Sequence, residues 1–396
     1  MKQHGESEVY NGHVIEHSVH GLVTIRLEGA PVRIVEAIAR QLGPSGGPRT
    51  AASTEPDITI SFSEKLSTCG ELRLLELNQA AFDDESFYLL DGEGHRARID
   101  LNSVGEPCHM DCELGIDSIP LLLPLVGLRL LRKGYVLLHS AAFVYRGEGI
   151  LVTGWQKGGK TEMLLSFMQA GARYISDEWT IVGGEPPRLY GLGGRVKVWD
   201  WHLRSLPRYL ARIPSTSRYR LRLLWLYRKV MSLPGLSGLS GGPFGLLHRL
   251  SREAGSVLLG LVSLSPNVLF AGKVWAGAAP LDRIFLALLG QDGIEVHPAD
   301  PSEVARRMVS SLAYERSSLL EAYHKFRFAF PGRSNRLIET AQDREQEIVL
   351  AALAGKPAYE IRHPYPVSLA AMYAAAAPYC SREKTDLLTS RGSEAQ

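Results

Sequence analysis

Gly154-Trp155-Gln156-Lys157-Gly158-Gly159-Lys160-Thr161 has the spacing G-x-x-x-x-G-K-[ST], the pattern of a loop that holds phosphate. Small residues let successive backbone N–H groups turn inward around anionic oxygens, and a helix opening at Lys160 adds its positive end. Lys160 could reach the β- and γ-phosphates of a nucleotide, and the Thr161 hydroxyl could ligate Mg²⁺. The flanks agree: GILVT, residues 149 to 153, reads as a strand running in, and Lys160 to Ala170, closed by Gly171, reads as a helix running out.

A phosphate loop does not say what becomes of the phosphate. Asp177-Glu178, at the end of a short strand read over Arg173 to Ser176, supplies two adjacent carboxylates. One could hold Mg²⁺, directly or through water, and the other could accept a proton from an attacking hydroxyl. Neighbouring side chains on an extended backbone diverge, so the two need not share one role. His139, in LLHSAA on the strand before the loop, could touch the transferred phosphate or the acceptor, or be a satisfied core residue. Glu162 could orient a metal-bound water or simply face solvent.

The elements that must position these residues can be read around them. Residues 1 to 115 read as a small α/β unit. GLVTIRL alternates like a strand, Val32 to Leu42 has helical spacing, and GPSGGPRTAAS is a loop. Asp57 to Phe62 alternates again, and Phe87 to Leu90 with Ala97 to Leu101 flank DGEGH as a hairpin. A second unit, 116–396, carries the loop. Val136 to Tyr145 and Gly149 to Thr153 read as two strands, and Thr180 to Val182 as another. Leu281 to Leu289 reads as a buried strand, Ser302 to Leu320 and Ala341 to Ala354 as helices, and Ala358 to Ile361 as a last strand.

Within the second unit, about 201–265 reads as a basic insertion. From 201 to 252 there is no Asp or Glu, whereas Arg204, Arg208, Arg212, Arg218, Arg222 and Lys229 are among the cations. In LRLLWLYRKV, Leu223, Leu226 and Val230 fall at helical spacing with charges opposite. This segment could dock an acidic peptide or protein, lie on an anionic surface, or be a solvated helical face. Cys108-His109-Met110-Asp111-Cys112 invites a metal reading, but no second cysteine pair completes a zinc set, and ordinary loop residues are the expectation.

Composition narrows the class. A chain of 396 residues suggests roughly two to three domains at about 150 residues each. Hydrophobic residues at 45% and charged residues at 22% exclude a mainly disordered chain. Four cysteines in this length point to a reducing compartment rather than a disulfide framework. A net charge of +2 gives no global field for nucleic acid. The polar start lacks a secretory pattern. The apolar stretches Ile119 to Leu131 and Ala254 to Gly272 are too short or too interrupted for the roughly 18–20 residues of a membrane span. A cytoplasmic protein without a transmembrane span is expected.

LLHSAAFVYRGEGILVTGWQKGGKTEMLLSFMQAGARYISDEWTIV resembles the core of the HPr kinase/phosphorylase catalytic domain and the wider HPr kinase-like serine kinases. The order of a His-bearing strand, a strand ending in the loop G-K-T-E, a helix, a Gly turn and an acidic pair carries the resemblance over about 136–182. A looser likeness continues in APLDRIFLALL and KPAYEIRHPYP. The resemblance implies an α/β fold, a P-loop kinase core of the HPr kinase type with a mixed sheet flanked by helices, joined to the N-terminal α/β unit and the basic insertion. It also implies ATP and Mg²⁺, and a protein or peptide substrate, which need not be HPr. By position, His139 matches the family's active-site histidine. Lys160 and Thr161 match its phosphate and metal contacts, and Asp177 its acid/base. Glu178 stands for a second, metal-linked aspartate. The segment tied to phosphorylase activity has no counterpart in place. The nearest string, Phe330-Pro331-Gly332-Arg333-Ser334-Asn335, lies far downstream, so kinase chemistry alone is implied.

The expected function is transfer of the γ-phosphoryl group of ATP to a hydroxyl, serine by resemblance. The alternatives are a nucleotide-dependent binding or regulatory module without transfer, and a small-molecule kinase on the same scaffold. The sequence leaves the acceptor open, as it does a homo-oligomer.

Overall fold

The computed structural model describes residues 14–45, 55–76, 79–206, 209, 212–215, 218–219, 261–275 and 277–380. Most of the basic insertion, including LRLLWLYRKV, lies outside the described residues. So do the chain start, most of GPSGGPRTAAS and part of Ala254 to Gly272. The described chain is α/β, with mixed sheets and helices. None of its helices is long and apolar enough to cross a membrane.

The first unit is built on one sheet. Its strands are β1 (Val14–Val19), β2 (Val23–Glu28), β3 (Ile58–Ser63), β4 (Arg73–Leu75), β5 (Ala80–Phe82), β6 (Phe87–Leu90), β7 (Arg96–Ile99) and β8 (Cys108–Glu113). They order as β1-β2-β3-β8-β7-β6-β5-β4. In β2 the alternation of VTIRLE turns Val23, Ile25 and Leu27 inward, and the helix Val32–Leu42 adds Ile34, Ile38 and Leu42 to the same core.

The Cys108–Cys112 segment, expected to be a loop, is strand β8, pairing parallel with β3 and antiparallel with β7. Its alternation buries Cys108, Met110 and Cys112 on one face and leaves His109 and Asp111 on the other. Burial pushes the two thiols up to about 11 and about 12. Asp111 accepts from His109 at 2.8 Å and from Arg98 at 2.7 Å. Ligands on opposite faces of one strand do not converge on a single ion.

The second unit opens with the helix Leu122–Arg132 and continues through β9 (Tyr135–His139), β10 (Ala141–Tyr145), β11 (Glu148–Thr153), β12 (Arg173–Ser176), β13 (Trp179–Gly183), β14 (Arg188–Gly191), β15 (Val196–Trp199), β16 (Leu261–Leu264), β17 (Ala279–Pro280), β18 (Arg283–Leu289), β19 (Glu295–Pro298) and β20 (Ala358–His363). One sheet orders as β12-β10-β11-β18-β20-β19, with β11, β18 and β20 parallel. A second orders as β17-β14-β13-β9, and β15 pairs with β16. The expected single strand Val136 to Tyr145 is therefore two strands in two sheets. The break is the fully buried Ser140, whose N–H donates to Glu178 O at 3.0 Å.

The central strands read as continuous apolar runs because both of their faces are covered. Leu151, Ile284 and Leu286 face a core shared with the N-terminal sheet, whereas Ile150, Val152, Phe285 and Ala287 face a core containing the helix Lys160–Gln169. The expected helix Ser302 to Leu320 is two, Pro301–Glu315 and Ser317–Ala329. The chain turns at Arg316, whose side chain forms a buried ion pair with Glu345 on the helix Ala341–Leu353. The apolar stripe runs on through the corner, so the spacing gave no stop signal. The helix Leu369–Ala376 was not anticipated.

Asn335 joins the two units. Its Nδ2 donates to the carbonyls of Leu101, Asn102 and Val104 at 2.9, 3.1 and 2.7 Å, and its Oδ1 accepts from Ile338 N–H at 3.2 Å. The F-P-G-R-S-N string therefore has a structural use. Asn335→Ala strands buried carbonyls and should lower unfolding stability by about 1–3 kcal/mol. Urea denaturation measures this, and a loss below about 0.5 kcal/mol would deny the tie.

Candidate functional site

The glycine-rich loop leaves the carboxyl end of β11 and is packed against its neighbours by glycines. Gly154 has φ +146°, and a Cβ there would lie 2.4 Å from Ala287 O of β18. Gly159 has φ +102°, and a Cβ there would lie 1.8 Å from His363 Nε2 at the end of β20. Gly158 N–H donates to Trp155 O at 3.1 Å, closing a turn, and Lys157 takes a left-handed φ of +59°. Gly159 then opens the helix Lys160–Gln169 without a capping side chain. Gly171 takes φ +100° after its last turn, as the sequence suggested.

Trp155 does not fill the loop. It is 50% exposed and leans on Tyr314, with ring centroids 5.3 Å apart. Gln156 Nε2 donates to Glu315 Oε1 at 3.1 Å. Lys160 is buried and folds back over the loop, its Nζ donating to Gly154 O at 3.1 Å and Trp155 O at 2.8 Å. Burial lowers it to about 8, although the carboxylates of Asp177, Glu315, Glu162 and Glu178 all pull the other way.

Asp177 lies beside this lysine because β12 runs in the same direction as β11, each being antiparallel to β10. Both strands deliver their next residues to one sheet edge, where open α/β sheets bind ligands. Asp177 is 2% exposed, and its Oδ1 accepts from the Thr161 hydroxyl at 3.0 Å. Its Oδ2 is buried without a hydrogen-bond partner. Burial pushes the carboxyl up to about 7, and Glu178 and Glu162 push the same way against Thr161 and Lys160.

The acidic pair diverges. Glu178 takes a left-handed φ of +79° and forms an ion pair with Lys197 of β15. The Thr161 hydroxyl is an oxygen donor of the kind that suits Mg²⁺, whereas the Glu178 carboxylate, the other expected metal ligand, is turned to Lys197 and away from Asp177. Glu162 is buried rather than solvated. Its Oε1 meets His202 Nε2 at 3.2 Å, and His202 Nδ1 accepts the Trp199 N–H at 3.1 Å, which places the ring proton on Nε2. Burial alone would raise Glu162, but the bond and charge of His202, a backbone N–H and the charge of His363 together hold the carboxyl below its ordinary value.

His139 ends β9 opposite Trp179, stacked on it with centroids 5.3 Å apart. Its Nδ1 meets Glu315 Oε1 at 2.5 Å, so Glu315 bridges His139 and the loop residue Gln156. Burial opposes ionisation of Glu315, but these two bonds hold it below its ordinary value.

The structure thus gathers Gly154 through Glu162, His139, Asp177 and Glu178 at one sheet edge. It adds Glu315, Lys197, His202 and His363, which the sequence reading did not single out. His363 is fully buried, with Nε2 3.0 Å from Gly158 O and Nδ1 2.9 Å from Pro364 O. It lies in KPAYEIRHPYP, the one missed residue with a sequence signal. Neither protein-family models nor curated proteins match this chain.

Asp177 also makes stability depend on pH. The fold keeps its proton up to about 7, whereas the unfolded chain loses it near 3.8. The native state binds more protons in that window, so this contribution falls as pH rises through it and is lost above it. Asp177→Asn cannot ionise. In buffer with chelator, its melting temperature relative to wild type should rise between pH 5 and pH 8 by about 2–4 °C or more. A difference that stays flat with pH in scanning fluorimetry would remove the buried ionisation.

Proposed function

We propose that the protein is an ATP- and Mg²⁺-dependent kinase that moves the γ-phosphoryl group to a hydroxyl of a protein or peptide. The observation that carries this reading is Asp177, a dry carboxyl raised to about 7 and bonded to the loop threonine. A general base works best when its pKa lies near the working pH. A pure nucleotide binder has no use for such a group.

The acceptor hydroxyl would give its proton to Asp177 as its oxygen bonds to the γ-phosphorus. The bond from that phosphorus to the β–γ bridging oxygen would break, leaving ADP. Lys160 would exchange its two loop carbonyls for phosphate oxygens, and the uncapped first turn of its helix would face the same anion. Thr161 would hold Mg²⁺, with Glu178 joining it only on leaving Lys197, and the ion would supply charge neutralisation at the terminal phosphates. Burial takes Lys160 and Asp177 out of bulk water, so that each would interact more strongly with charge on the phosphates. His139 and Glu315 would fix the loop through Gln156. The preference for serine rests on the resemblance of 136–182 to HPr kinase-like enzymes.

Transfer from [γ-³²P]ATP to a serine-centred peptide library tests the reading. Asp177→Asn should lower transfer by about 10²–10⁴-fold while leaving ATP binding within a few fold. Lys160→Met should weaken ATP binding itself. Equal transfer by wild type and Asp177→Asn would strip Asp177 of its role. ATP binding without transfer to any acceptor would favour a regulatory module.

A further inference from the structure

The helix Leu122–Arg132 carries a glycine in its middle, Gly127. Glycine is unfavourable inside a helix relative to alanine, because it loses more backbone freedom on folding. No described neighbour demands it here. Its φ is not positive, and a Cβ added at Gly127 would meet no atom within 4 Å. The gap beside it is therefore kept at a cost to the helix and with no return in packing.

Gly127 borders a cavity of about 190 Å³. Leu128 and Leu131 of the same helix, Val136 of β9 and Leu312 give the cavity apolar walls. Ser318, also on its lining, is exposed, so the space is reached from solvent. A dry cavity of about 150 Å³ is large enough for benzene. This one has room for a single substituted ring.

The lining is not wholly apolar. Arg316 and Glu345, the buried ion pair at the corner between two helices, belong to it. Each keeps hydrogen-bonding capacity that no described residue meets. Arg316 Nε is a buried donor without an acceptor, and Glu345 Oε2 a buried acceptor without a donor. Buried polar atoms are ordinarily paired. The two charges offset each other, so the group that would complete the pair is neutral and carries both an acceptor and a donor. A carboxamide has that pattern. Trp179 and Glu315 complete the wall, and both also hold His139, one by stacking and the other by its hydrogen bond. The cavity thus shares two residues with the candidate site, while none of 154–162 lines it.

We infer that this cavity is a binding site for a small neutral molecule made of an apolar ring and a carboxamide-like group. The ring lies over the bare Cα of Gly127 and among the leucines. The polar group accepts from Arg316 and donates to Glu345. The site stands whether or not the glycine-rich loop binds a nucleotide, because the two have no lining residue in common.

Benzamide is the probe, with toluene and acetamide as its two halves, titrated into the full chain by ligand-observed NMR. Benzamide should bind with a Kd of about 1 mM or tighter, and each half at least about tenfold more weakly. Gly127→Ala should raise the melting temperature by about 1–3 °C and weaken benzamide at least about threefold. Gly127→Leu, which fills the space, should abolish binding. If that variant does not fold, Gly127→Ala alone decides. A wild type that takes up no benzamide, toluene binding as tightly as benzamide, unchanged affinity in Gly127→Ala, or a fall in its melting temperature would each overturn the site.

Discussion

Everything at the sheet edge is arranged around a carboxyl and an ammonium taken out of water together. Asp177 and Lys160 are each pushed toward neutrality by burial, in opposite directions. An unpaired buried charge is expensive, and a buried polar atom without a partner costs a further amount of about 1–3 kcal/mol. A fold evolved for stability alone would fill this place with apolar side chains, as it does on the inner faces of β11 and β18. The pair instead keeps one oxygen unsatisfied and ties its lysine to carbonyls that phosphate oxygens could replace. On the proposed reading, an incoming phosphate would take the place of those carbonyls.

The seam between the two sheets explains how Asp177 comes to be there. Ser140 links β9 to β10, and Asp177-Glu178 link β12 to β13. Each link carries the chain from one sheet to the other, and they cross at the bond from Ser140 N–H to Glu178 O. Neighbouring residues at such a crossing point in different directions. Asp177 turns into the dry space under the loop helix, while the left-handed backbone of Glu178 sends its side chain out to Lys197. His139, just before Ser140, is set at the same seam and stacks on Trp179 just after Glu178. The adjacency of the acids in sequence and the separation of their environments are one topological fact.

Much of this edge was legible in the sequence because local rules wrote it. The helix Val32–Leu42 follows from its spacing. The strand–loop–helix around Gly154 to Gln169 follows from an apolar run, glycines and a Gly stop, and the strand ending at Ser176 from its pattern. What could not be read depends on partners far away in the chain. Nothing near Glu315 announces that it will bridge His139 and Gln156. The corner at Arg316 is held by Glu345 rather than by a breaker. Strand β8 hid behind a metal-like cysteine pattern, although its alternation was that of a half-buried strand. The split at Ser140 was masked because both strands are apolar, and only the crossing with Glu178 makes the serine a boundary.

The loop glycines illustrate why the motif alone is a weaker argument than the side chains that meet it. Gly154 and Gly159 are each demanded by close neighbours, Ala287 O and the His363 ring, whereas Gly158 is less tightly held, a Cβ there lying 3.0 Å from Ala287 O. Packing by itself would therefore keep the first two small, with or without an anion. Packing gives no reason for a lysine laid across two carbonyls, nor for a threonine hydroxyl donated to a carboxyl whose other oxygen goes unpaired. These are costs that a purely structural loop would shed, and they fall on Lys160, Thr161 and Asp177, the residues whose chemistry phosphate transfer would use.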